Sequence, residues 1–267
     1  MQQYILVLLL LTSCFSYSQE KKDNSFFYVE NDNRKNLLKA NFLFLAIPSV
    51  SIQYERKVFK KSSVGVTLNY TGEQDIPFIG IINKRLGNHE FTKNQLKNVR
   101  YNSKSISPEF RFYFGKEAFK GFYIGPFLRY AFYNIKFPLD YKVEAADILY
   151  SKIDFKGNIK AFTAGVSIGA QWEILNNCYI DWLIVGPHIG FSKEYLYANK
   201  QLSRKEQIAI EESLTIIKDN LQTLNKIPGL NIPNVDFDHD VNENGAKIKF
   251  NEDWAGIKMF LGFGYRF

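Results

Sequence analysis

The chain has 267 residues, 46% of them hydrophobic, with 34 Lys+Arg against 27 Asp+Glu and only 2 Cys, 2 Met and 3 His. That apolar content is too high for a disordered chain, yet charges break up any run of about 18 apolar residues that a membrane-spanning helix requires. Two cysteines exclude a disulfide framework and a cysteine zinc site, and a formal charge of +7 spread over the whole length is no nucleic-acid footprint.

Residues 1–18 carry no charge, and 5–11 form an unbroken apolar run. Ser16 and Ser18 fill the −3 and −1 positions of a small-x-small cleavage site. The segment reads as a secretory signal peptide cleaved after Ser18, although its start lacks the usual Lys or Arg. Leu11-Thr12-Ser13-Cys14 also fits a bacterial lipobox, which would make Cys14 a lipidated N-terminus. Either way the chain is exported, which argues against cytosolic cofactor chemistry. Residues 19–36 then read as a polar periplasmic linker, and 37–267 as one β domain.

From there the pattern is period two, the signature of strands. Residues 37–46 alternate weakly. In 49–58, Val50, Ile52 and Tyr54 oppose Ser51, Gln53 and Glu55. In 62–71, Val64, Val66, Leu68 and Tyr70 oppose Gly65, Thr67 and Asn69. In 105–115, Ile106, Phe110, Phe112 and Phe114 oppose Ser107, Glu109 and Arg111. Residues 121–135 set Phe122, Ile124, Leu128 and Tyr130 against Gly125 and Arg129. Residues 158–172 set Phe162, Val166, Ile168 and Trp172 against Thr163, Gly165, Ser167 and Gln171. Residues 178–192 alternate weakly. Residues 253–267 close the series, with Ile257, Met259, Phe263, Tyr265 and Phe267 against Lys258, Gly262, Gly264 and Arg266.

Several of these segments reach 10–15 residues, longer than common globular strands of about 5–6 and long enough for the tilted bilayer crossing of about 9–11. The connections alternate in length. Residues 59–61, 116–120 and 173–177 are tight; of the outer connections 72–104, 136–157 and 193–252 are long, and only the first, Ile47-Pro48, is tight. An eight-stranded antiparallel transmembrane β-barrel with short periplasmic turns and long outer loops requires this order. The apolar faces would meet lipid and the aromatics would form interfacial girdles. The charged faces, with Glu55, Glu109, Arg111, Arg129, Asp181, Lys258 and Arg266, would meet as a luminal charge network that fills a narrow interior.

Ser51-Ile52-Gln53-Tyr54-Glu55-Arg56, Pro108-Glu109-Phe110-Arg111-Phe112-Tyr113-Phe114-Gly115 and Gly121-Phe122-Tyr123-Ile124-Gly125-Pro126 carry a resemblance. With them goes the ending on Phe263, Tyr265 and Phe267, which resembles the membrane-insertion signal read by the barrel assembly machinery. Over residues 37–267 the chain resembles the small outer-membrane β-barrel proteins of Bacteroidetes, a family of unknown function. The resemblance implies fold, outer-membrane location and contact with outer-membrane lipid. It implies no catalytic residue.

The long loop 193–252 predicts a helix over about 203–226. Ser203 and Glu206 form a capping box, Ile210, Leu214, Ile217, Leu221 and Leu224 make one apolar stripe, and Pro228-Gly229 stops it. The stripe is expected to pack on the barrel mouth or plug the lumen rather than stand exposed. Asp240, Asn242 and Asn244 with Gly245 fit the first half of a calcium loop, but Asn251 occupies the position of the closing Glu. His188 and Ser192 fall on one face of the seventh strand, where a Ser/His pair of a lipid-modifying barrel enzyme would sit, with no acid to orient the histidine. The sequence therefore predicts a non-enzymatic outer-membrane barrel, without cofactor or nucleic acid, acting structurally or through an extracellular partner on its outer loops. A lipid-modifying enzyme and a small-ligand or calcium-binding barrel are the alternatives.

Overall fold

The computed structural model describes residues 34–42, 49–76, 79–144, 148–193, 195–222, 237–250 and 253–267. The segment expected to be a signal peptide, with Cys14 and Ser18, most of the expected polar linker, and Leu224 with the Pro228-Gly229 stop lie outside the described residues. The elements, in chain order, are β1 (Asn36–Asn41), β2 (Ser49–Phe59), β3 (Ser62–Asp75), α1 (Ile79–Arg85), α2 (Glu90–Lys97), β4 (Arg100–Tyr113), β5 (Gly121–Glu144), β6 (Ile148–Leu175), β7 (Cys178–Lys193), β8 (Tyr195–Asn199), α3 (Arg204–Gln222), β9 (Phe237–Asn242), β10 (Gly245–Phe250) and β11 (Asp253–Arg266). No helix among the described residues is long and apolar enough to cross a membrane.

The strands form one large antiparallel sheet that closes into a ring. β1 pairs with β2, β2 with β3, and so on through β7. β11 then lies between β7 and β1, with Leu37 opposite Arg266 and Ala40 opposite Phe263. Closure removes the free edges that an open sheet would expose. The tight connections sit together at one end: Lys60-Lys61, the stretch 114–120, and Asn176-Asn177. Asn177 turns the last with φ 68, a left-handed conformation that asparagine tolerates better than most residues.

β5 and β6 continue far beyond the ring. Their register runs unbroken from Gly121↔Gln171 to Glu144↔Ile148, so the expected loop 136–157 is mostly a projecting hairpin. Where the hairpin leaves the ring, burial keeps its phase but the apolar residues change from the outward to the inward face. On β6 within the ring, even positions such as Phe162, Val166 and Ile168 are exposed and odd positions such as Thr163, Ser167 and Gln171 are buried. Beyond it, odd positions Ile153, Phe155 and Ile159 are buried while Lys152, Asp154, Lys156 and Asn158 face out.

Of two apolar clusters, the larger follows from this reversal. The larger forms a head on the projecting hairpin, where Phe137, Leu139, Tyr141, Ile153 and Phe155 meet Leu86 and Leu96 from the α1–α2 region and Ile210, Leu214, Ile217 and Leu221 of α3. The stripe of α3 is thus buried against the sheet, as its spacing requires. The capping box forms too: the Ser203 amide donates to Glu206 Oε2 at 3.0 Å and the Glu206 amide to Ser203 Oγ at 3.4 Å. The loop 193–252 also holds strands absent from the sequence reading. β8 pairs with β6 and β10, and β10 with β9. Gly245 starts β10 at φ 145, where a Cβ would lie 2.0 Å from the Ala198 carbonyl, so only glycine fits. The smaller cluster, Leu37, Tyr113, Ala118, Phe119, Tyr123 and Tyr179, fills the ring interior at the tight-turn end.

Candidate functional site

Between the two clusters the ring interior is charged. Arg111 and Glu109 on β4, Glu55 on β2, Lys39 on β1, Asp181 on β7 and Lys258 on β11 are all brought inward by period two, and all are buried. Lys39 Nζ lies 2.5 Å from both Glu55 Oε2 and Asp181 Oδ2. Arg111 donates through Nη1 to Asp181 at 2.6 Å and through Nε to Glu109, and reaches Glu55 at 3.4 Å. Lys258 pairs with Glu109. Three cations thus meet three carboxylates.

Polar neighbours take up the remaining lone pairs. Tyr113 donates its hydroxyl to Glu55 at 2.5 Å, Tyr123 donates to Asp181 at 2.9 Å, and Gln53 Nε2 donates to Glu109 at 2.8 Å. The Arg111 guanidinium also stacks 4.1 Å from the centre of the Tyr123 ring. A buried pair tolerates its desolvation only when its geometry and extra hydrogen bonds are this complete. The arrangement is electrically closed, and the Ser63 hydroxyl also donates to Glu55.

The residues singled out in sequence fall in different places. Glu109, Arg111 and Lys258 meet, with Glu55 and Asp181. Arg129 does not join them: it is half-buried on β5, nearer the head, and makes no ion pair among the described residues. Arg266 lies at the opposite end, donating to the Tyr179 hydroxyl at 3.1 Å and the Arg34 carbonyl at 3.0 Å, over the Phe119 ring. Lys39 was missed because β1 alternates too weakly to show its polar face; its flanking Leu38 and Ala40 were the available signal. Gln53, Gln171, Tyr113 and Tyr123 were missed because neutral polar residues on a strand look like filler until a charge stands beside them.

His188 and Ser192 are both buried on the inner face of β7. No hydrogen bond joins them, and His188 Nδ1 has no partner. The imidazole instead stands edge-on to Phe127, with ring centroids 5.9 Å apart, and occupies the space a Cβ at Gly256 would need. Asp240, Asn242 and Asn244 are exposed on the β9–β10 hairpin, where Asp240 pairs across to Lys247 and Asn242 Oδ1 accepts the Asn244 amide at 2.9 Å. An extended hairpin cannot wrap these oxygens around one ion as a calcium loop does. Among the described residues no group of three or more His, Cys, Asp or Glu is placed to hold a metal. Phe263, Tyr265 and Phe267 all point outward from the ring, about half exposed.

A closed antiparallel ring with a charged interior and an apolar exterior defines the class. Residues 4–218 match the family described as Protein of unknown function (DUF3575), and the chain belongs to that family. Comparison with curated proteins gives no match.

Proposed function

We propose that the chain is a regular eight-stranded β-barrel spanning a bacterial outer membrane, without enzymatic activity, whose head acts structurally or in surface interaction. The observation that carries this reading is the inversion of polarity. Lys39, Arg111 and Asp181 are 0–1% exposed, whereas Val50, Leu68 and Ile257 on the outer face are 59%, 55% and 67% exposed. Water-soluble proteins do not carry apolar patches of this extent, and a bilayer is the solvent that suits both faces.

Dimensions agree with the reading. On β6 the outward residues stay apolar from Phe162 to Ile174; at about 3.3 Å per residue and a tilt of about 40°, this covers roughly 30 Å, close to a hydrocarbon core. Aromatics cluster at both borders, with Tyr130, Phe162 and Phe191 in one row at the head side and Phe112, Phe114 and Phe122 at the turn side. These would be the interfacial girdles. The outward Phe263, Tyr265 and Phe267 are available to the assembly machinery, and the interior, filled by its ion-pair network, leaves no room for a constitutive channel.

The test is fractionation of expressing cells followed by gel mobility of boiled against unboiled protein. Recovery in the outer-membrane fraction with a heat-modifiable band is expected. Recovery in buffer without detergent would overturn the proposal.

A further inference from the structure

The ring interior has a second level, between the ion-pair network and the head. In the register set by Ile106↔Tyr130 and Glu109↔Phe127, Ser107 of β4 stands opposite Arg129 of β5. Arg129 is opposite Thr163 of β6, and His188 of β7 is opposite Gly165, the next inward residue of β6. Four inward side chains on consecutive strands thus lie near one another. Three of them are more than nine-tenths buried: Ser107, Thr163 and His188. Ser107 Oγ, Thr163 Oγ1 and His188 Nδ1 have no hydrogen-bond partner. With Ser51 Oγ, one row nearer the head on β2, they make four of the seven such atoms among the described residues. Scatter through the fold would not gather them at one level.

Charge narrows what these groups can hold. The three carboxylates of the network are matched by Lys39, Arg111 and Lys258. Arg129 is a fourth cation, and it has no hydrogen bond or ion pair among the described residues. The flanking inward positions on β2 to β7 are Ser, Thr, Asn, Ala and Gly, without a carboxylate. Arg129 and Lys258 are the charges that act on the His188 ring, and both are positive. Water satisfies hydroxyls but leaves one positive charge uncompensated where the dielectric is low. A monoanion removes that charge and accepts from the guanidinium fork, the hydroxyls and the imidazole together.

Shape narrows the class further. Asn69, Arg129 and Gly256 point inward yet are only part-buried, so the small side chains leave room between the walls. On the head side, Trp254 of β11 meets Tyr133 of β5 with ring centroids 5.0 Å apart. These strands are three apart around the ring, so the two rings bridge the interior. Gly190, opposite both Trp254 and Thr163, carries no side chain to stand in the way. Donors on the wall with aromatic rings above them suit a molecule with one charged and one apolar end.

We propose that this level of the ring binds a small organic monocarboxylate, its carboxylate on Arg129, Ser107, Thr163 and His188 and its apolar part against Trp254 and Tyr133. The inference goes beyond the surface role above and needs the closed ring, not the bilayer. The test is isothermal titration of the full chain, folded in a neutral detergent, with benzoate, its uncharged isostere benzamide, acetate and phosphate. Benzoate should bind once per chain, about tenfold more tightly than benzamide, and more tightly than acetate. R129Q should weaken benzoate about tenfold. R129K, which keeps the charge and loses the fork, should fall between. K156Q, on the outer face, should bind as the natural chain does.

No saturable benzoate binding overturns the proposal, as does equal binding of benzamide. Benzoate affinity that survives R129Q, or that falls as far in K156Q, overturns the site. Acetate binding as tight as benzoate overturns the aromatic contact, and phosphate that displaces benzoate at equal concentration overturns the carboxylate assignment. Heat-modifiable mobility reads the folding of each sample separately. If a variant does not fold, the comparison of benzoate with benzamide on the natural chain still decides. Recovery of the chain in buffer without detergent would overturn the membrane reading and leave this test in force.

Discussion

Arg111 is the residue on which the interior depends. It touches Glu55, Glu109 and Asp181 while completely buried, so replacing it with Leu leaves three carboxylates with only Lys39 and Lys258. Removing one partner from such a network costs about 3–5 kcal/mol, to be measured by equilibrium urea unfolding in detergent micelles. Arg129→Gln, which breaks no ion pair among the described residues, should cost less than about 1 kcal/mol in the same assay. The contrast matters because both arginines read alike in the sequence, as charges on the polar face of an alternating strand. Period two assigned each to the inner face. It could not assign height along the ring, and height alone decides that Arg111 meets Asp181 from β7 and Arg129 does not.

At the level of the element, the change of apolar face in β5 and β6 explains why the strands were read too short. A search for one alternating face ends near residues 135 and 158, because beyond them the apolar residues move to the other face. The backbone continues unchanged. The physical cause is a change of surroundings: in the ring, odd positions meet charged side chains, and in the head they meet α3.

Helix α3, by contrast, was legible from local chemistry alone, in its capping box and apolar stripe. Its Glu206 carboxyl is held down at about 2. The Ser203 amide is the main cause; partial burial opposes it, and the Tyr141 and Ser203 hydroxyls and the Lys200 ammonium add to it. Because the folded value lies below the ordinary one near 4.5, the stabilisation is fully present above about pH 4.5 and is lost as pH falls toward 2. Hydrogen exchange over residues 204–222, corrected for intrinsic rates, should show protection declining through that window. Ser203→Ala should lower protection at neutral pH by about 0.5–2 kcal/mol and leave most of the decline in place, because the backbone amide that chiefly holds the Glu206 carboxyl down remains.

For the whole molecule, the proposed bilayer makes a prediction that no soluble sheet would share. Val166 stands near the middle of the apolar outer face of β6 and is 41% exposed. By solvent exposure alone, Val166→Arg would be nearly neutral; facing lipid at the midplane, it should cost about 2–4 kcal/mol. Asn158→Arg, on the same face of the same strand but above the apolar rows, should change stability by no more than about 0.5 kcal/mol. Reversible unfolding from lipid vesicles measures both, and equal small effects would count against the transmembrane placement.

The sequence by itself determined the strands within the ring, their inward and outward faces, the side of the tight turns and the helix of the last long loop. All of these follow from local periodicity, turn chemistry and capping, which act over a few residues. Closure was already expected from the barrel pattern; only the tertiary structure decided the register in which β11 meets β1, that Lys39 completes the charge network, and that the projecting hairpin, β8–β10 and α3 share one apolar head. Those outcomes depend on register between segments far apart in the chain. Register is fixed when whole faces are buried together, because a slip of one residue would place every charge on the apolar side.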